Sequence, residues 1–202
     1  MKRNSVVIAD YGIGNIGSIQ KVLHLLEKRT VVSSDPEVLA GAHTVLLPGV
    51  GSAVGTIESV LFKRIKDSLR LRALAERPLV GLCLGAQLMF SYLHESHSVG
   101  LEIFRGTVRP IEQRVSNTGW RKIDFDALNS MGVASGLREY DHYFFNHGYE
   151  MEPSDVDIQI CKTTDTLTPA IIRRASTWAI QFHPEKSQVA GVRLLRNVLN
   201  NG

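Results

Sequence analysis

The chain has 202 residues, 44% of them hydrophobic, and a formal net charge of +3 at pH 7. This length and composition predict one domain, residues 1–202, with an ample core, and the mild charge argues against a nucleic-acid partner. Only a short apolar run follows Met1-Lys2-Arg3-Asn4, so we expect neither a signal peptide nor a membrane partner and predict a cytoplasmic protein. The two cysteines, Cys83 and Cys161, lack metal-ligand spacing, which is typical of a reducing compartment.

Strand and helix patterns alternate in the first half of the chain. Short apolar runs predict strands, and apolar residues at helical spacing predict helices. The predicted strands are Ser5 to Ala9, Val31-Val32, Thr44 to Leu47 and Leu79 to Leu82, and the predicted helices are Ile16 to Leu26, a short helix from Pro36 with Asp35 as N-cap, and Thr56 to Ala75. The alternation predicts an α/β fold with a mostly parallel sheet between helices. The basic residues of the last helix are interpreted as a solvated face rather than a nucleic-acid site.

The second half of the chain is rich in strand patterns and poor in helices. The strand-like segments are Phe104 to Ile111, Trp120 to Phe125, Tyr143 to Tyr149, Asp157 to Lys162, Ala170 to Arg174 and Thr177 to Phe182. Because few helices separate them, these segments predict antiparallel additions to the sheet. A helix from Ser187 to Leu199 is predicted to close the chain, with Asn200-Asn201-Gly202 as its cap and tail.

The segment from Pro78 to Gln87 carries the clearest chemical motif. Its centre, Gly81-Leu82-Cys83-Leu84-Gly85, matches a nucleophile elbow between a strand and a helix predicted over Ala86 to Leu93. Cys83 would lie at a helix N-terminus, which favours the thiolate, and the Leu84 amide would point at a developing oxyanion. The alternative is that Cys83 is an ordinary buried core cysteine.

Unusual sequences follow three of the predicted parallel strands, whose carboxyl ends form the ligand edge of an open sheet. They are Asp10 to Asn15, Pro48 to Gly51, and Cys83. Gly12 to Gly17 also matches the dinucleotide fingerprint G-x-G-x-x-G. Asp10 would place a carboxylate near any pyrophosphate, so a structural turn is the favoured interpretation, and a nucleotide-binding module stays open as an alternative.

A cysteine nucleophile needs an imidazole base, and the imidazole needs an acceptor that fixes its tautomer. His183 ends the last predicted strand and has Glu185 two residues further on, so this pair offers both groups. His147 is the second candidate base, and its alternative interpretation is a hydrogen-bonded structural histidine. The segment His94-Glu95-Ser96-His97 resembles a metal-binding pair, but we expect it to be solvated surface, and we predict neither a metal nor a cofactor.

Taken together, these motifs resemble class I, or triad, glutamine amidotransferases. Within that family they most resemble the glutaminase subunits of imidazole glycerol phosphate synthase, an enzyme of histidine biosynthesis. The matching runs are Asp10-Tyr11-Gly12-x-Gly14-Asn15, Ser34-Asp35-Pro36, Leu47-Pro48-Gly49-Val50-Gly51, Gly81-x-Cys83-Leu84-Gly85-x-Gln87 and Gln181 to Gln188. They span nearly the whole chain.

The resemblance implies a flavodoxin-like three-layer sandwich that hydrolyses glutamine to glutamate and ammonia. It implies that Cys83 attacks the side-chain amide, that His183 transfers protons and that Glu185 orients His183. It further implies an oxyanion hole formed by the backbone amides of Val50 and Leu84. The residues expected to line or hold the substrate are Gly49, Gly51, Gln87, His147, Gly148 and Tyr149.

The resemblance also implies a heterodimer with a cyclase subunit of the (β/α)8-barrel type, which receives the ammonia. The residues at positions expected at or near that interface are Tyr11, Asn15, Trp120 and Lys186. The chain departs from the family pattern at Asn117 and Arg121, where histidine and asparagine are common, and at Gly148, where serine is common. These departures leave open a paralogue that supplies a cyclase-like partner in another pathway, such as surface-sugar amidination. A stand-alone cysteine hydrolase or protease with the same triad is a further alternative.

Overall fold

The computed structural model describes residues 5–111 and 117–201, so Met1 to Asn4 and Gly202 of the predicted tail lie outside the described residues. Within them the strands are β1 (Ser5–Ala9), β2 (Arg29–Ser33), β3 (Thr44–Leu47), β4 (Leu79–Leu82), β5 (Phe90–Leu93), β6 (Ser98–Val99), β7 (Phe104–Pro110), β8 (Asn117–Arg121), β9 (Tyr143–His147), β10 (Tyr149–Pro153), β11 (Gln159–Lys162), β12 (Pro169–Arg174) and β13 (Thr177–Ile180). The α-helices are α1 (Ile16–Leu25), α2 (Pro36–Gly41), α3 (Ala53–Glu58), α4 (Val60–Leu74), α5 (Leu84–Gln87), α6 (Phe125–Ser130) and α7 (Gln188–Asn200).

A seven-stranded sheet in the order β11-β12-β13-β4-β3-β1-β2 forms the centre of the molecule. Strands β2, β1, β3, β4 and β13 run parallel to one another, whereas β12 pairs antiparallel with β13, and β11 antiparallel with β12, at one edge. In the pairing of β13 with β4, Thr177 lies opposite Leu79 and Ile180 opposite Leu82. The residues that follow these two strands therefore leave the same edge of the sheet side by side.

The two faces of the sheet are covered by separate apolar clusters, because alternate side chains of a strand point to opposite faces. Val6 and Ile8 of β1 pack with buried residues of α1, α6 and α7. Val7 and Ala9 pack with residues of α2, α4 and the strands that follow α5. This arrangement confirms the predicted α/β fold with a mainly parallel central sheet. None of the helices in the described residues is long and apolar enough to cross a membrane.

The sequence predicts that the strands of the second half are antiparallel additions to the central sheet, but several of them form separate sheets. Strands β10, β7, β5 and β6 form a separate four-stranded sheet, and β8 pairs with β9 in a two-stranded ribbon. The predicted strand Tyr143 to Tyr149 is divided at Gly148 into β9 and β10, which pair with different neighbours. Among the strands that the structure describes, β11 and β12 alone are antiparallel additions to the central sheet.

Three predicted elements have different bounds in the structure. The predicted helix Thr56 to Ala75 is two helices, because Ser59 has an extended backbone and its hydroxyl caps α4 by accepting from the Phe62 N–H. The predicted helix over Ala86 to Leu93 is wrong, since α5 ends at Gln87 and the apolar residues after it form β5. The predicted strand Trp120 to Phe125 ends at Arg121, and α6 begins after Asp124, whose carboxylate accepts from two backbone amides of the first turn.

Candidate active site

The nucleophile elbow is formed where β4 enters α5. Cys83 has φ 51° and ψ −111°, a left-handed conformation that non-glycine residues rarely adopt and that often marks functional sites. Its N–H donates to the carbonyl of Ile180 on the neighbouring strand at 2.7 Å. A Cβ on Gly85 would clash with the Leu47 carbonyl oxygen, and one on Gly81 would lie 2.8 Å from the Cα of Ala86. The two glycines are therefore required by close packing beneath the turn.

His183 follows β13 and meets Cys83 across the edge of the sheet. Its Nδ1 donates to Glu185 Oε1 at 2.9 Å, and both side chains are buried. Burial by itself lowers the pKa of His183, but its hydrogen bonds and charge interactions with Cys83 and Glu185 outweigh that effect and raise the pKa to about 9. Because Nδ1 is held by the carboxylate, Nε2 is left for the sulfur. The residues predicted as nucleophile, base and orienting acid are thus brought together.

The loop after β3 lies against the elbow. A Cβ on Gly49 would lie 2.3 Å from the Gly85 amide nitrogen, so only glycine permits this approach. Gly51 has φ +90° and open space around it, which gives the Gly49-Val50-Gly51 backbone a conformation suited to glycine. Val50 lines the same cavity as Cys83 and Leu84, as the prediction of an oxyanion hole requires.

A cavity of about 110 Å³ opens at the sulfur of Cys83. Its lining residues are Val50, Gly51, Cys83, Leu84, Gln87, Glu95, Asn146, His147, Gly148, Tyr149, His183 and Lys186. All the residues predicted to hold substrate line this cavity, with the exception of Gly49, which lies beneath it. Gln87 is fixed by donating from Nε2 to the Tyr149 carbonyl at 3.0 Å and to Gln181 Oε1 at 3.1 Å.

His147, the second candidate base, is held as a neutral imidazole. Its Nδ1 donates to the Tyr149 carbonyl at 2.7 Å, and its Nε2 lies 3.0 Å from Asn117 Nδ2, so Nε2 accepts. Burial lowers the pKa of His147 to about 4, although the bond to Tyr149 opposes the change; the charges of Arg121 and His183 lower it further. Both ring nitrogens are occupied, which favours the structural interpretation of this histidine.

Glu95 is a residue of the cavity that the sequence did not reveal. The prediction of solvated surface fits His94 and His97, which are exposed, but it is wrong for Glu95, which is partly buried. Glu95 Oε2 accepts from the Ala53 N–H, the first amide of α3, at 2.8 Å. This contact joins segments 42 residues apart, so no local sequence pattern could have indicated it.

The four residues predicted near a partner interface occupy different environments. Asn15 and Lys186 are exposed, and Trp120, 47% exposed, packs edge-on against the ring of Phe144. Tyr11 is only 1% exposed, and its hydroxyl donates to the carbonyl of Pro48 beneath the loop that follows β3. Any influence of Tyr11 on a partner would therefore pass through that loop.

The turn after β1 has a structural explanation. Gly12 N–H donates to the Asp10 carboxylate at 3.0 Å, which fills the place that a pyrophosphate would need. Gly14 has φ +134°, and a Cβ there would lie 3.1 Å from the Pro48 side chain. These glycines serve a tight turn that packs on the loop after β3, which favours the structural interpretation over nucleotide binding.

Comparison with known proteins agrees with this geometry. Residues 7–201 match the family model of glutamine amidotransferase class-I. The chain belongs to this family. Two curated relatives of this amidotransferase are both named imidazole glycerol phosphate synthase subunit HisH. The protein from Methylococcus capsulatus is 34% identical over 97% of this chain and 96% of the relative, and the one from Chlorobium luteolum is 36% identical over 95% and 98%.

Solved structures of low sequence identity share the fold of this amidotransferase. A structure described as glutamine amidotransferase has a TM-score of 0.75 at 20% identity, and the match covers 96% of this chain and 97% of that one. A glutamine amidotransferase from Thermotoga maritima has a TM-score of 0.71 at 14% identity, with 99% and 98% covered. The predicted family and flavodoxin-like fold are both confirmed.

Proposed function

We propose that this amidotransferase is the glutaminase subunit of imidazole glycerol phosphate synthase and supplies ammonia from glutamine to a second subunit. The observation that carries the proposal is the contact of His183 with both Cys83 and Glu185, beside a cavity of about 110 Å³ that Cys83 and His183 line. The names of the relatives with 34% and 36% identity support the pathway. The proposal treats residues 1–202 as one domain.

The chemistry follows from the positions of the triad. The Cys83 thiolate attacks the side-chain amide carbon of glutamine and forms a sulfur–carbon bond, which gives a tetrahedral intermediate; the carbon–nitrogen bond then breaks. Protonated His183 gives its proton to the departing ammonia. The now neutral imidazole then removes a proton from water, which attacks the thioester and releases glutamate and the thiolate. The Glu185 carboxylate holds Nδ1 throughout and stabilises the imidazolium form.

The surrounding residues stabilise and orient the reacting groups. We assign the backbone amides of Val50 and Leu84, which both line the cavity, as donors to the oxyanion of the tetrahedral intermediate. Gln87 offers its free carbonyl oxygen to the substrate, because both amide hydrogens are used within the protein. Gly49, Gly51, His147, Gly148 and Tyr149 shape the rest of the site, and the partly buried carboxylate of Glu95 gives the cavity a negative group for the substrate ammonium.

The proposed partner is a cyclase subunit of the (β/α)8-barrel type in a cytoplasmic heterodimer. The exposed Asn15, Trp120 and Lys186 provide amide, aromatic and cationic groups for an interface beside the cavity. Arg121 is turned inward, since it donates to Asn117 and pairs with Asp165. These contacts join β8 to the turn between β11 and β12.

The proposal is tested by mixing the purified chain with glutamine, a cyclase subunit and that subunit's nucleotide substrate. Glutamate and the imidazole product are both measured, and Cys83→Ala serves as the inactive control. We expect both products to form at equal rates and both to be lost in the variant. Glutamate without imidazole product would favour another acceptor pathway. Rapid ester or peptide hydrolysis without any partner would favour the stand-alone hydrolase.

A further inference from the structure

Two glutamine side chains form a line of amide contacts that ends at the nucleophile. Gln181 directly follows β13 and is completely buried. Its Nε2 lies 3.9 Å from the sulfur of Cys83, a long contact of the kind that a weak sulfur acceptor makes. Its Oε1 accepts from Gln87 Nε2 at 3.1 Å. Gln181 takes no part in the bond-forming and proton-transfer steps of Cys83, His183 and Glu185.

The orientation of both amides is determined by their neighbours. Gln87 Nε2 faces two oxygen acceptors, the carbonyl of Tyr149 and Oε1 of Gln181, so the nitrogen of Gln87 must point toward them. Since its oxygen is taken by Gln87, Gln181 can only turn its N–H group toward the sulfur. A flipped Gln181 would place two amide NH2 groups against each other, without an acceptor, in a buried site.

We propose that Gln181 is a catalytic residue of the glutaminase reaction that donates a hydrogen bond to the sulfur of Cys83, and that Gln87 is the positioning residue that aims it. This inference rests on the proposed function. A donor binds an ionised acceptor more strongly than a neutral one, so Gln181 favours the thiolate before attack and again as the thioester breaks. Gln181 transfers no proton; the protons move through His183 as described above.

Several titratable side chains near the sulfur of Cys83 also affect its reactivity. His183 is hydrogen-bonded to Cys83, and Glu185 acts through His183. Tyr11 is coupled to Cys83 by charge, and Glu95 and Lys186 line the same cavity. A change at Gln181 leaves all of these side chains in place. The reactivity of the sulfur can therefore report on the amide alone.

Two variants separate the donor from the packing of this side chain. Gln181→Glu has nearly the same shape and keeps an oxygen for Gln87, but it turns an oxygen instead of an N–H group toward the sulfur. Gln181→Met fills the space with no polar group. Gln159→Glu is the matched control, because Gln159 lies exposed on β11. Thermal unfolding and circular dichroism of each variant establish that it is folded.

The measurement is the rate of alkylation of Cys83 by iodoacetamide from pH 5 to pH 10, with the modified cysteine identified by mass spectrometry. We expect the rate at pH 7 to fall about 10-fold in Gln181→Met and further in Gln181→Glu, with the rising limb moved to higher pH. The fall in Gln181→Met corresponds to loss of one charge-assisted hydrogen bond, and Gln181→Glu adds repulsion between its carboxylate and the thiolate. The control should overlay the wild-type profile. In the complex, kcat should fall by a similar factor with little change in KM.

Alkylation profiles of both folded Gln181 variants that overlay the wild-type profile would overturn the proposal, even if kcat fell, because packing alone would then explain the loss. If Gln181→Met does not fold, Gln181→Leu, which also lacks a polar group, takes its place. The alkylation assay uses neither glutamine nor a partner. A wild-type chain that releases no glutamate would therefore contradict the proposed function while the result for Gln181 stayed readable.

Discussion

Two histidines line one cavity, and their surroundings move their protonation in opposite directions. His183, on the side of the central sheet, contacts a carboxylate and a thiol, and its pKa is raised to about 9. His147, on the side of the β8–β9 ribbon, contacts a backbone carbonyl and the Asn117 amide, and burial lowers its pKa to about 4. At neutral pH the first is cationic and the second is neutral.

The difference shows that the partner, and not the residue type or its burial, decides the task of each imidazole. Both side chains are buried, so desolvation opposes the charged form of each. The interactions with Cys83 and with the carboxylate of Glu185 together overcome that cost and let His183 hold and release a proton. The Asn117 amide instead donates to His147 Nε2, so protonation of His147 would break this hydrogen bond. One side of the cavity therefore moves protons, and the other fixes its shape.

The largest effect on glutamate release is expected when each histidine in turn is replaced by glutamine. In His183→Gln, glutamate release should fall about 10³-fold, mainly in kcat, because both proton transfers lose their carrier. In His147→Gln, the loss should stay within about 10-fold and should appear mainly in KM, because the cavity wall is disturbed while the triad remains. Steady-state glutamate formation in the complex measures both. Equal losses in kcat would contradict this comparison, because they would show that His147 takes part in the reaction as much as His183 does.

The sequence predicted the triad side of the cavity well because its signals are local. Apolar runs mark β1, β3, β4 and β13, and the glycines around Cys83 mark the turn. Since β4 and β13 are parallel neighbours, a cysteine after one and a histidine after the other must approach each other. His183 and Glu185 are two residues apart, so one short motif predicts both the base and its orienting acid.

On the ribbon side, the family resemblance implied His147, Gly148 and Tyr149, but no local pattern could predict their contacts, because these join distant segments. Asn117 reaches His147 across 30 residues, and Gln87 reaches the Tyr149 carbonyl across 62. Glu95 was assigned to the surface for the same reason. The apolar residues of β5 fit a helix or a strand equally well when read alone, and their pairing with β6 and β7 decided between the two.

A second, smaller effect is expected from Asn117→Asp, which gives His147 a carboxylate as His183 has. In the wild type, the pKa of His147 is lowered to about 4 in the folded state from its ordinary value of about 6.5. Its neutral form therefore contributes stability above pH 6.5, which is lost as the pH falls from 6.5 through 4, a change of about 3 kcal/mol. The new carboxylate should raise the pKa of His147 and remove much of this loss.

Urea unfolding at pH 7.5 and pH 4.5 measures the free energy of unfolding of the wild type and the Asn117→Asp variant. The control is Asn129→Asp, the same change at an exposed position at the end of α6. Stability of Asn117→Asp should fall less between the two pH values than that of the wild type or the control. An unchanged fall would mean that Asn117 does not set the protonation of His147.

The smallest effect should come from Gly148→Ser, which places a hydroxyl where the family commonly has one. A Cβ at Gly148 would meet no atom within 4 Å, so the free energy of unfolding should change by less than about 0.5 kcal/mol, and KM for glutamine by no more than about 3-fold. Gly41→Ser is the matched control, because Gly41 also has open space around it and lies at the end of α2, outside the cavity lining. Glutamate release and urea unfolding measure both variants. If Gly148→Ser reduced kcat as strongly as a change at His183, the ribbon side would take part in the chemistry, and its separation from the triad side would fail.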